Sequence, residues 1–104
     1  MKIEGWRRKI DAIDTKLLHL LNSRAELSLE VGRWKCEQGM SFRSPARERA
    51  IITRMKKMNS GPFDAAAVAK IYKLIVAESI RMQELYCRAP RGKAGKRRGA
   101  RKSS

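Results

Sequence analysis

The chain is poor in the residues that metal and covalent chemistry need. It has one histidine, His19, and two cysteines, Cys36 and Cys87, without a Cys-x-x-Cys spacing. That set does not make a zinc site, and neither cysteine has a plausible base beside it, so no metal, cofactor or covalent intermediate is expected. The cysteines read as small hydrophobes at helix ends, free thiols suited to a reducing cytosol. No apolar run approaches the roughly 20 residues that span a bilayer. The opening Met1-Lys2-Ile3-Glu4 lacks the apolar region of a signal peptide. These absences point to a cytoplasmic protein without a membrane partner. Strand-like alternation is missing too, and helix formers dominate, which makes the fold class all-α.

What is present is helical periodicity. Steps of four and three from residue 6 give Trp6, Ile10, Ile13, Leu17, Leu20, Arg24, Leu27, Val31 and Trp34, an apolar stripe interrupted by one arginine. A first helix over about 3–38 follows, with no proline inside it, Gly32 as an isolated weak point and Gly39 as its stop. At 1.5 Å per residue it is a rod of roughly 50 Å, longer than a domain of this size. Ser44-Pro45 reads as an N-cap with proline at the first helical position, opening a second helix over 45–59 with Ile51, Ile52, Met55 and Met58 inward. Asn59-Ser60-Gly61-Pro62 breaks the chain, and Asp64 caps a third helix over 65–87 with the stripe Val68, Ile71, Tyr72, Ile75, Ser79, Met82, Tyr86. Two short helices do not cover the long one. A second copy of the chain is the economical cover, so an intertwined helical homodimer is expected.

Several polar residues fall on or beside these stripes: Arg7, Arg24 and Lys35 on the first helix, Arg47 and Glu48 at the start of the second, Ser79 and Gln83 on the third. Glu48 follows the cap by four residues, where a capping box needs three, so capping does not account for it. Cations on a core-facing surface are costly unless an anion meets them. Several cations, one carboxylate and a neutral amide suit a small dianion, since arginine grips a carboxylate through two parallel hydrogen bonds. Such a pocket acts by shape and charge.

Residues 6–24, Trp-Arg-Arg-Lys-Ile-Asp-Ala-Ile-Asp-Thr-Lys-Leu-Leu-His-Leu-Leu-Asn-Ser-Arg, resemble the opening helix of the all-helical (AroQ-type) chorismate mutases. Val31-Gly32-Arg33-Trp34-Lys35 resembles their Val-Gly-x-x-Lys segment, Ser44-Pro45-Ala46-Arg47-Glu48 their Asp-Pro-x-Arg-Glu segment, and Ser79-Ile80-Arg81-Met82-Gln83 their closing Ser-x-x-x-Gln segment. The resemblance implies a dimer of three-helix protomers that rearranges chorismate to prephenate without a cofactor, in the synthesis of phenylalanine and tyrosine. It implies that Arg24 binds a substrate carboxylate within its own subunit and that Arg7 crosses over from the partner subunit to a carboxylate. Lys35 and Gln83 would donate to the ether oxygen, and Glu48 would bind the ring hydroxyl. Ser79 and the backbone around Ser44 and Arg47 would complete the carboxylate contacts. Ser44 departs from the aspartate usual in the family, which bears on substrate affinity.

Charge is one-sided: 25 basic against 10 acidic residues, a net +15. Eight of the cations lie in residues 88–104, where Asp and Glu are absent; the remaining 17 leave the body near +7. The expected organisation is therefore a helical domain over 1–88 and a basic disordered tail over 89–104. Two other functions compete with the mutase. Isochorismate pyruvate lyase uses a similar fold and cationic pocket, and Glu48 speaks for the mutase. A basic protein that binds nucleic acid through its tail would be salt-sensitive and sequence-independent. Truncation after Ala89 separates it from the mutase, whose turnover should survive the deletion.

Overall fold

The computed structural model describes residues 2–89. They form three helices and, among the described residues, no strand: α1 (Lys2–Gln38), α2 (Pro45–Met58) and α3 (Ala65–Arg88). The expected tail over 89–104 lies, apart from Ala89, outside the described residues.

Local chemistry sets each boundary. Gly39 takes φ +67°, the left-handed conformation that glycine tolerates without steric cost. The Met40 N–H then donates to the Lys35 carbonyl at 2.8 Å and the Gly39 N–H to that of Cys36 at 3.3 Å, which closes α1 in a Schellman motif. Asp64 opens α3 by accepting from the Ala67 N–H at 2.8 Å. At α2 the cap works differently from expectation. Ser44 precedes Pro45, but its hydroxyl makes no capping bond. The Ser44 N–H instead donates to the Glu48 carboxylate at 3.0 Å. Capping does therefore involve Glu48 despite the four-residue spacing, because the carboxylate is long enough to reach back over the first turn.

The helices α1 and α3 run parallel. Arg24 meets Ser79, Ser28 meets Gln83, Arg33 meets Tyr86, and Cys36 meets Cys87. This corrects the expectation of free thiols. The two cysteines form a disulfide with 5.8 Å between their Cα atoms. They lie 51 residues apart in sequence, and only the parallel register of α1 and α3 brings the two helix ends together. Next to the bridge, Arg33 donates to the Tyr86 hydroxyl and to Glu30, each at 3.1 Å, with its guanidinium 5.6 Å from the Tyr86 ring centre.

The core within one chain is small. Among the described residues Ile51, Val68 and Val76 are the buried apolar ones, and Val76 lies outside the expected α3 stripe because α3 packs against both other helices. The α1 stripe is not buried against its own chain. Leu21, Ala25, Ser28, Leu29, Gly32 and Cys36 make the partly or fully covered line of α1, and the expected stripe stays open: Trp6, Ile10, Ile13, Leu17, Leu20, Leu27, Val31 and Trp34 are all at least half exposed. The described protomer is a slab of 53 × 34 × 15 Å, one helix layer thick. No helix among the described residues is long and apolar enough to cross a membrane.

Candidate active site

A cleft of about 320 Å³ opens where α1, the loop 39–44, α2 and α3 converge. It is lined by Arg24, Lys35, Ser44, Arg47, Glu48, Ser79 and Gln83, together with Leu27, Val31, Ile51 and Val76. Seven of the residues singled out in the sequence thus share one cavity. Arg7 does not. It is exposed in the open half of α1, 17 residues before Arg24 and so roughly 26 Å away along the helix.

Arg24, Gln83 and Lys35 are each held by a neighbour. Arg24 donates from Nη1 to the Ser79 hydroxyl at 3.0 Å, and that hydroxyl donates to the Ile75 carbonyl one turn back, also at 3.0 Å. Ser79 is therefore an anchor for Arg24, which aims the guanidinium across the α1–α3 seam. Gln83 is 6% exposed, and its Nε2 donates to the Ser28 carbonyl at 2.7 Å. The amide carries a second N–H that this bond leaves unused. Lys35 lies 3.5 Å from the Phe42 carbonyl, which tethers the ammonium to the connecting loop.

Glu48 is the carboxylate of the cavity. Both its oxygens accept from Arg43, Oε2 from Nε at 2.9 Å and Oε1 from Nη2 at 2.8 Å. The hydrogen bonds from Arg43, the Ser44 N–H and the positive charges of Arg43 and Lys35 hold the Glu48 carboxyl below the usual glutamate range, against the opposing effect of burial. The same pairing raises the Arg43 guanidinium further above its already high ordinary value.

Two contributors were not singled out in the sequence. Arg43 reaches Glu48 across the helix cap, a spacing with no periodic signature. Gly32 was read as a weak point in α1; a methyl group built there would stand 2.5 Å from the Gln83 Cγ and 2.9 Å from its Cβ. The glycine is what lets α3 approach closely enough for the glutamine to face the cleft.

The cavity therefore gathers three cations, one pre-oriented carboxylate and one anchored amide against an apolar wall. That set can bind a small dianion and place hydrogen-bond donors on a third point of the same molecule. Among the described residues no group of three His, Cys, Asp or Glu is placed to hold a metal ion.

Residues 6–84 match the family described as chorismate mutase type II. The chain is 30% identical over 86 residues to a chorismate mutase of Methanocaldococcus jannaschii, covering 82% of this chain and 87% of the relative. It is 32% identical over 87 residues to a bifunctional chorismate mutase/prephenate dehydratase of Aquifex aeolicus, covering 80% of this chain and 24% of that protein. The chain thus spans about a quarter of the length of the bifunctional relatives it matches. Among solved structures, that of chorismate mutase (form II) from Thermus thermophilus superposes with a TM-score of 0.79 at 30% identity, over 81% of this chain and 96% of that one.

Proposed function

The chain belongs to the chorismate mutase type II family, and from that premise we propose that it rearranges chorismate to prephenate in aromatic amino-acid synthesis, as a homodimer and without a cofactor. The observation that supports this best is the convergence of Arg24, Lys35, Arg47, Glu48 and Gln83 on one cleft.

The chemistry asks for two things. The substrate must be held in the folded conformer that brings the two carbon termini together, and the negative charge that grows on the ether oxygen as its C–O bond breaks must be stabilised. Arg24, anchored by Ser79, grips one carboxylate. The second falls to Arg7 of the other copy, with the backbone around Ser44 and Arg47 completing the contacts. Fixing both carboxylates removes an entropic part of the barrier. Lys35 and the free N–H of Gln83 donate to the ether oxygen, where donors held in place favour the transition state over the ground state. Glu48 accepts from the ring hydroxyl. No proton is transferred to the protein, and no covalent bond to it forms.

Exposed surface supports the dimer. A stripe from Trp6 to Trp34 that lies at least half exposed is a large apolar face for a free monomer. A second copy laid along it covers both stripes by symmetry and carries its own Arg7 to the neighbouring cleft. The Cys36–Cys87 bridge removes the free thiols on which the cytosolic expectation rested, since a disulfide persists more readily in an oxidising compartment.

The test is direct. Purified protein should consume chorismate, followed by its absorbance, and Arg24→Ala should lose about a hundredfold or more of kcat/KM while remaining dimeric, since one fixed charge donor is worth a factor of that order. A protein inert to chorismate that releases pyruvate from isochorismate would be a lyase instead. Full activity in Arg24→Ala would move the site elsewhere.

A further inference from the structure

This inference rests on the mutase reading of the cleft and concerns Glu48. A carboxylate among Arg24, Lys35 and Arg47 is a hazard to its neighbours. Left loose, it would draw in the cations that a dianionic substrate needs. The balancing charge comes from outside the cleft. Arg43 is not among the residues that line it; it lines a second, outer groove of about 560 Å³ on the far side of Glu48. From there its planar guanidinium takes both carboxylate oxygens at 2.8 and 2.9 Å, and the Ser44 N–H adds a third bond at 3.0 Å. The Arg43 side chain is 61% exposed and that of Glu48 only 18%, so the pair straddles the wall between the two cavities.

We propose that Arg43 is a positioning residue of the reaction, fixing the Glu48 carboxylate at the cleft wall so that it accepts from the substrate hydroxyl and leaves the inner cations to the substrate. Three features support it. A two-point bond sets the orientation of the carboxylate plane, which a single contact does not. The neutralising charge stays on the solvent side, so the inner cleft keeps a surplus of positive charge for two carboxylates. The short loop between α1 and α2 carries both Arg43 and the Phe42 carbonyl that tethers Lys35, so one segment places the hydroxyl acceptor and one ether-oxygen donor.

Of the charged groups around Glu48, Arg43 and Lys35 act on its titration. Lys35 faces it from α1 and Arg43 from the loop, while Arg47 and Arg49 flank it on α2. From α3, Lys73, Arg81 and Glu84 line the outer groove with it. Glu84 is the one acid of that ring, and it acts on Arg43. Only Arg43 among these cations is hydrogen-bonded to the carboxylate.

The experiment uses the full-length protein with Arg43→Gln and Arg43→Lys, and Arg49→Gln as a control for the loss of one groove cation. Two readouts are taken: the Glu48 carboxyl titration by carbon NMR, assigned with Glu48→Gln, and the pH profile of kcat/KM for chorismate. In Arg43→Gln the carboxyl should titrate at higher pH than in the wild type. Its kcat/KM should fall about twofold to fivefold near neutrality, the scale of a partly exposed charged pair, and further as the pH drops. Arg43→Lys should recover part of both effects, because an ammonium restores charge without the planar fork. Arg49→Gln should match the wild type. An unmoved carboxyl titration in Arg43→Gln overturns the proposal, as does a moved titration with turnover unchanged at every pH. Wild-type protein that does not convert chorismate is a different failure, that of the mutase reading itself, and the carboxyl titration still reports on the Arg43 contact.

Discussion

Gln83 is polar and 6% exposed, with one amide N–H committed to the Ser28 carbonyl. Its replacement by glutamate is the sharpest test of a single side chain. An ionised glutamate would face the Ser28 carbonyl with no hydrogen to offer, and a protonated one has a single hydrogen for two acceptors. Gln83→Glu should therefore lose most activity at neutral pH and regain only part of it in acid, seen as an optimum displaced to low pH; an unchanged profile would remove Gln83 from the ether oxygen. In the wild type the acid limit belongs to Glu48. Its carboxyl is held low by Arg43, so the stabilisation from that pairing is fully present above the unfolded-state value and lost as the pH falls through the lowered folded one. Activity should accordingly stay level through mild acid and fall only below the ordinary glutamate value of about 4.3. At this scale the sequence was informative wherever a polar residue broke an apolar stripe, as Arg24 does. It was silent on Arg43 and on the Ser28 and Phe42 carbonyls, because those contacts depend on where a loop and a helix backbone come to lie.

Helices show a similar division. Their ends were legible from punctuation that acts locally: Gly39 with positive φ, Ser44-Pro45, and the Asp64 cap. Contacts between helices were not, because a stripe says which face is apolar and not which neighbour covers it. Gly32 illustrates this. In Gly32→Ala the added methyl would press on Gln83, so α1 and α3 must separate or the glutamine must leave its place. The variant should lose about 1–3 kcal/mol of stability, the usual cost of overpacking, and a larger share of kcat than a remote change of equal stability effect, read from denaturant unfolding and turnover together. The Cys36–Cys87 bridge joins the same two helices across a loop of 51 residues. Constraint of the unfolded chain over such a loop is worth about 2–4 kcal/mol. Reduction, or Cys36→Ser, should lower the denaturant midpoint accordingly; an unmoved midpoint would mean the bridge adds nothing.

The whole molecule is organised by what one chain leaves uncovered. Among the described residues the first half of α1 is largely exposed, its apolar stripe is at least half exposed, and Arg7 lies on that half. A rod longer than its own domain was readable in the sequence as a demand for a partner, since helix length needs only the absence of breaks. The identity of the covering surface was not readable, because periodicity alone leaves the two sides of α1 indistinguishable. If two copies complete each other's clefts, Arg7→Ala and Arg24→Ala disable different halves of the same site. Each variant alone should be nearly inactive. Mixed in equal amounts and allowed to exchange subunits, they form mixed dimers in which one cleft keeps both arginines and the other has lost both. Random exchange places half of the dimers in that class, so about a quarter of wild-type activity should return. Chorismate turnover of that mixture is the decisive measurement: recovery near one quarter is expected, and a mixture no more active than the sum of its parts, or an Arg7→Ala protein as active as the wild type, would contradict a dianion site built from two chains.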